Sequence, residues 1–249
     1  MQQSVPRTRQ IVAAVIGNAL EWYDFVVYGF MTVIISRLFF PSDSEYASLL
    51  LTMATFGVGF FMRPAGGILI GLYADRKGRK AALQLVIAMM TLAIAMIAFA
   101  PTYAAIGAAA PIMIVLARLL QGFATGGEFA SATAFLVESA PAERRGFYGS
   151  LQMVGQSVAA LAGAASGMLI TQGLSVEQID SWGWRLPFII GLLIGPVGLY
   201  IRRHLEETEA FIEVSKSPVE KASLASIFHL HRRAVLAAFG LVLANTIMY

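Results

Sequence analysis

Between Ala81 and Ala100 the sequence runs AALQLVIAMMTLAIAMIAFA, without a charged residue. Arg76, Lys77, Arg79 and Lys80 stand immediately before it. A helix rises ~1.5 Å per residue, so ~20 apolar residues cross the ~30 Å hydrocarbon layer of a bilayer. The stretch therefore predicts a membrane-spanning helix with a basic loop at one end. Further runs of this kind occupy roughly 11–38, 46–73, 108–138, 147–171 and 184–201, which makes six spans. The composition agrees: of 249 residues, 57% are hydrophobic and 13% charged, with a mean hydropathy of +0.70. Soluble domains carry about 25% charge. A soluble enzyme, a nucleic-acid binder and a disordered chain are disfavoured. Strands of a membrane barrel would alternate over ~10 residues, which these runs do not do. The predicted class is all-α, a polytopic membrane helix bundle.

Lys and Arg set the expected orientation. Of 18 such residues, fourteen fall on one side. They are Arg7 and Arg9, the four before Ala81, Arg144 and Arg145, and six in the 6–7 loop (Arg202, Arg203, Lys216, Lys221, Arg232, Arg233). The other side has Arg37 and Arg185, while Arg63 and Arg118 lie inside spans. The N-terminus is thus expected in the cytoplasm. The first apolar stretch, Ile11 to Phe40, is longer than a signal-peptide core and contains Glu21 and Asp24, so it predicts a retained first helix. Three domains are expected: a bundle over 1–201, a cytoplasmic loop over 202–233, and the start of a seventh helix over 234–249. In the loop, Ser217-Pro218-Val219-Glu220 predicts a helix start lying along the membrane. The loop histidines, His204, His229 and His231, read as solvated. Because the sequence stops within the seventh apolar segment, it is expected to be a fragment or truncated product of something longer. The pairs Gly67/Gly71, Gly122/Gly126, Gly163/Gly167 and Gly191/Gly195 predict close helix packing, since lipid gives helices no hydrophobic reason to associate.

Charges inside the spans carry the functional signal, because an ionisable group in hydrocarbon costs ~3 kcal/mol by insertion scales. Counted from the basic side, Glu21, Arg63 and Glu128 each lie ~15 Å deep and Asp24 ~20 Å. Arg118 is nearer the other half. Polar stripes at i, i+3, i+4 spacing run through Gly17/Asn18, Glu21, Asp24 and Tyr28 on span 1. Thr52, Thr55, Gly59 and Arg63 form a stripe on span 2. Arg118, Gln121, Thr125, Glu128 and Ser131 form one on span 4, and Gln152 and Gln156 one on span 5. Together they predict a shared water-filled cavity at mid-bilayer. Three carboxylates against two guanidiniums leave one carboxyl without a partner, and burial without a partner favours the protonated form. The arginines suit an anionic substrate. Proton coupling is accordingly assigned to Glu21, Asp24, Glu128 and Arg118. Substrate binding is assigned to Asn18, Tyr28, Arg63, Arg118, Gln121 and Gln156.

Gly71-Leu72-Tyr73-Ala74-Asp75-Arg76-Lys77-Gly78-Arg79-Lys80 resembles the loop 2–3 signature of the major facilitator superfamily. Arg118-Leu119-Leu120-Gln121-Gly122 resembles its helix 4 pattern. Finer matches resemble the metabolite–proton symporter branch: Gly17 to Phe25, Phe61-Met62-Arg63-Pro64, Gly126-Gly127-Glu128, Arg145-Gly146-Phe147, Trp182 to Phe188 and Leu205 to Phe211. The resemblance implies the N-terminal six-helix half of a twelve-helix transporter in a bacterial inner membrane, compatible with two inverted three-helix repeats. It implies alternating access, with the missing C-terminal bundle as partner. It also implies a gating motif of Gly71, Asp75, Arg76, Gly78 and Arg79. There Asp75 and Arg79 latch the inside-closed arrangement, Gly71 permits close approach, and Gly78 a tight turn.

The expected function is proton-coupled symport of a small organic acid such as citrate. Osmolyte (proline or betaine) symport and a non-transporting remnant stay open as alternatives. No cofactor and no metal site is expected. Cysteine is absent, the spans hold no histidine, and neither a zinc-protease motif nor a phosphate-cradling loop is visible. A membrane enzyme and an ATP-driven pump are disfavoured accordingly.

Overall fold

A computed structural model of the chain describes residues 7–138 and 140–203, with residues 212 and 232. The expected cytoplasmic helix, the loop histidines and the seventh span lie outside the described residues. Among the described residues eight α-helices follow one another: α1 (Arg7–Phe39), α2 (Glu45–Lys77), α3 (Arg79–Ala98), α4 (Tyr103–Ile106), α5 (Ala109–Glu138), α6 (Arg145–Gly173), α7 (Val176–Ser181) and α8 (Leu186–Arg203). Among the described residues there is no strand. Six of these segments are long and apolar enough to cross a membrane, and they fall where the apolar runs predicted them.

Two short helices were not expected. α4 and α7 are one-turn caps at the end opposite the basic loops, too short to leave a hydropathy signal. α7 nonetheless carries a capping box: the Gln178 amide donates to Ser175 Oγ, and the Gln178 side chain accepts from the Ser175 amide.

The helices pair in an ordered way. α2 packs chiefly against α5, α1 against α6, and α3 against α5 and α8. If α1, α2 and α3 are exchanged with α5, α6 and α8, the α2–α5 contact becomes α6–α1, and α3–α5 becomes α8–α1. Both exchanged contacts are present. Chain direction alternates from span to span, so this is the contact pattern of two inverted three-helix repeats.

Glycine sets the closest approaches. A Cβ on Gly122 would fall 1.9 Å from the Gly59 carbonyl oxygen, and one on Gly126 2.0 Å from that of Arg63. A Cβ on Gly66 would meet the Phe123 carbonyl at 1.8 Å. Gly163 and Gly167 accommodate the Tyr23 carbonyl with Val26, and the Phe30 ring; Gly191 and Gly195 accommodate the Tyr23 ring and Thr91. The expected glycine pairs are therefore packing sites, with one correction. Gly67 faces the Gly126 carbonyl, but Gly71 has nothing within 4 Å, so the close approach expected there is not made within the described residues. Gly78 is different again: it joins α2 to α3 at φ 101°, a backbone region that side-chain-bearing residues rarely adopt. The tight turn expected at Gly78 is present.

Candidate functional site

Five charged side chains from three helices meet inside the bundle. Arg118 on α5 donates from Nη1 to Asp24 Oδ2 on α1 at 2.7 Å and to Gln121 Oε1 at 2.6 Å. Its guanidinium lies over the Tyr28 ring, 3.7 Å from the centroid. Arg63 on α2 donates from Nη2 to Glu21 Oε1 at 3.1 Å, and its guanidinium stands over the Phe60 ring at 4.4 Å. The two pairs differ in access. The Arg118 and Asp24 side chains are 6% and 5% exposed, whereas Arg63 is 36% exposed and Glu21 10%. Glu128 is buried within electrostatic reach of Glu21.

A partly open cleft of about 40 Å³ lies between these groups. At ~10–15 Å³ per water position it has room for a few waters. Glu21, Asp24, Arg63 and Arg118 line it together with Phe25, Phe56, Phe60, Met90, Gly59, Gly122 and Thr125. The Phe25 and Phe56 rings lie 4.6 Å apart, and Tyr28 stacks on Phe56 at 5.4 Å.

The structure brings most of the sequence-assigned residues together and separates a few. Glu21, Asp24, Arg63 and Arg118 share the cleft; Tyr28 and Gln121 hold Arg118 from either side. Asn18 is wholly buried one turn from Glu21, and neither its Oδ1 nor its Nδ2 has a hydrogen-bond partner among the described residues. Gln156 is half-buried and does not line the cleft, so α6 is not one of its walls. Gln152 is buried elsewhere, accepting from Thr133 Oγ1 at 2.7 Å. On α2, Thr52 and Thr55 are buried off the cleft; Thr52 Oγ1 donates to the Ser48 carbonyl. The expectation of a carboxyl without a partner also needs correction. Glu21 and Asp24 are paired with arginines, and Glu128 is engaged as well.

The sequence assignment missed Phe25, Phe56, Phe60 and Met90. Phe56, Phe60 and Arg63 follow i, i+4, i+7 spacing, which was the available signal. At the basic end, Arg79 Nη1 lies 3.0 Å from Asp75 Oδ1, and Arg79 Nε lies 3.7 Å from Glu138 Oε1 on α5. Glu138 was also missed, though it ends a span on the side of the basic loops. Arg76 is exposed. At the opposite end Arg37 pairs with Asp180, while Arg185 donates to the Ser181 and Ala100 carbonyls. The two arginines at this end are thereby accounted for locally.

Comparison with known proteins agrees with this fold. The family model for sugar (and other) transporters matches residues 10–232. The chain is 41% identical over 99% of its length to the citrate-proton symporter of Salmonella typhi, covering 58% of that protein. It is 38% identical over 97% of its length to the proline/betaine transporter of Salmonella typhimurium, covering 50%. The chain thus spans about half the length of these relatives. In fold it is similar to XylE of E. coli, a major facilitator superfamily proton:xylose symporter, with a TM-score of 0.77 and 19% identity over 84% of this chain and 46% of that one. The chain belongs to the sugar (and other) transporter family, and its six membrane helices form the N-terminal half of the major facilitator fold.

Proposed function

We propose that this chain is the first bundle of a proton-coupled symporter for a small carboxylate-bearing solute, an organic acid such as citrate, working by alternating access against a second, C-terminal bundle. The observation that carries this is the pairing of two arginines inside the bundle with two carboxylates at unequal exposure. The Arg118–Asp24 pair, enclosed and braced by Gln121 and Tyr28, acts as the fixed anchor. The Arg63–Glu21 pair, open to the cleft, acts as the exchangeable one. A substrate carboxylate takes the Arg63 guanidinium, which offers a bidentate fork. Glu21 is released and takes a proton, so charge is conserved as solute and proton enter the site together. Glu128 stands close enough to Glu21 to feel that change of charge.

The basic end is placed in the cytoplasm of a bacterial cell, where Asp75, Arg79 and Glu138 form a latch that opens and closes with the second bundle. Zwitterionic osmolytes are a second reading, favoured by the Phe25, Phe56 and Phe60 rings in the cleft wall, which suit a quaternary ammonium group.

The test is uptake of labelled citrate, 2-oxoglutarate and glycine betaine by cells carrying the complete transporter, with and without a protonophore. One solute is expected to accumulate, and its accumulation to collapse with the proton gradient. Glu21→Gln is expected to abolish gradient-driven accumulation while leaving exchange of internal for external solute. Accumulation untouched by the protonophore would refute the proposal.

A further inference from the structure

Asn18 presents an unusual demand. Its amide is fully buried inside the bundle with both polar atoms unpartnered among the described residues. A buried amide in that state is destabilising unless something supplies its hydrogen bonds. Internal water does this where several polar groups can hold it. Such groups continue from Asn18 toward the basic end. Gln152 on α6 is buried, accepts from Thr133 of α5 through Oε1, and leaves its Nε2 unpartnered among the described residues.

Helix register places these groups in sequence. A Cβ on Gly155 would touch Val15, so α1 and α6 lie level at that point, and both run away from the basic end. Gln152 is three residues on the basic side of Gly155, and Asn18 three residues on the other side of Val15. Their axial separation is therefore ~9 Å at 1.5 Å per residue, the length of two or three waters in file at ~2.8 Å spacing. Glu21 is ~4.5 Å beyond Asn18, and Gln152 is ~10 Å from Arg145, where α6 begins. On α5, Glu128 and Thr133 are ~7.5 Å apart along the axis and follow the same course.

We propose that Asn18, Glu128, Thr133 and Gln152 hold a file of bound water along the α1–α5–α6 junction, and that this file carries the coupled proton from Glu21 to the basic end. The Glu21 carboxyl gives its proton to the first water. Each water passes one proton on as it accepts one, bulk water receives the last, and the Glu21 carboxylate re-forms its pair with Arg63. The charged groups facing the entry are Arg63 and Arg118 against Asp24 and Glu128. From Arg145 onward α6 contributes no other charged side chain, so its amide Gln152 is its polar anchor at this junction. Asn18 and Gln152 are positioning residues here: they orient water rather than exchange a proton themselves.

The proposal rests on proton-coupled transport, so wild-type behaviour is checked first. If a protonophore leaves wild-type accumulation intact, the functional reading fails before the water file is addressed. With coupling established, the complete transporter is reconstituted in vesicles as wild type, Asn18→Leu, Gln152→Leu and Asn18→Ser. Labelled citrate or glycine betaine, whichever the wild type carries, is the probe. The leucine variants keep side-chain size and remove the water's partners. Gradient-driven uptake should fall roughly 100-fold in the leucine variants, the lower range of what positioned proton transfer contributes. In Gln152→Leu, solute exchange without a gradient, which needs no deprotonation, should stay at the wild-type rate. Asn18→Ser, which still holds water, should restore driven uptake. Driven uptake unchanged in the leucine variants would overturn the proposal. So would exchange falling in step with driven uptake in Gln152→Leu, or Asn18→Ser failing as Asn18→Leu does, because each makes the site one of packing.

Discussion

The guanidinium of Arg118 is enclosed by Asp24, Gln121 and the face of Tyr28, while that of Arg63 keeps about a third of its surface open. Removing one partner of a buried ion pair strands a charge and costs ~3–5 kcal/mol, whereas a pair open to solvent is worth ~0–1 kcal/mol, and the Arg63–Glu21 pair lies nearer that second case than the Arg118–Asp24 pair does. Asp24→Leu should therefore lower the thermal midpoint in detergent by several degrees, and adding Arg118→Leu should recover much of the loss. Glu21→Gln and Arg63→Gln should leave that midpoint nearly unchanged while abolishing driven uptake. Equal destabilisation by Asp24→Leu and Arg63→Gln would contradict the division into anchor and exchangeable pair. The charges themselves were legible in the sequence, because an ionisable residue inside an apolar run is costly unless it meets a partner or water, and depth can be counted along a helix. The aromatic wall was not. Phenylalanine at helical spacing fits lipid, core or cleft equally well. Gln156 shows the complementary error. It repeats the stripe of Gln152, but the rotation of α6 about its axis decides what that stripe faces. With apolar surroundings on every side, hydropathy says little about rotation.

Between elements, α2 and α5 touch backbone to backbone at Gly59–Gly122 and Arg63–Gly126. A methyl group there meets a carbonyl oxygen that no rotamer change can move, so the helices themselves must separate. Overpacking of a tight contact costs ~1–3 kcal/mol and often more where backbone is involved. Gly122→Ala and Gly126→Ala should each lower both yield and thermal midpoint, measured by size-exclusion profile and thermal shift. Gly57→Ala, which meets nothing within 4 Å, should behave as wild type. The GxxxG pairs were readable from spacing, but their partners were not. Gly122 is answered by Gly59 and Gly126 by Arg63 and Gly67, while Gly66 faces the Phe123 carbonyl between them; Gly66 follows Gly59 by seven residues, a spacing no short motif records. The Ser175–Gln178 capping box was present in the sequence as a Ser-x-x-Gln step and would have revealed α7.

For the whole molecule, the six spans, their order and the half-transporter architecture were legible, since a bilayer permits few alternatives to apolar helices. The proposed orientation can be tested directly because the chain lacks cysteine. A single cysteine at Ser42, in the α1–α2 loop, should react with a membrane-impermeant maleimide in intact cells. One at Lys77, at the basic end, should react only after permeabilisation. The reverse result would invert the topology. The meshing of α2 with α5 has a mechanical consequence. α2 carries Arg63 and Asp75; α5 carries Arg118, Glu128 and Glu138. Close-packed backbone is barely compressible, so the two helices turn as one stiff lever with the cleft arginines along its shaft and the Asp75–Arg79–Glu138 cluster at its tip. On the proposed reading, torque applied at the tip would be delivered directly to the Arg63–Glu21 pair.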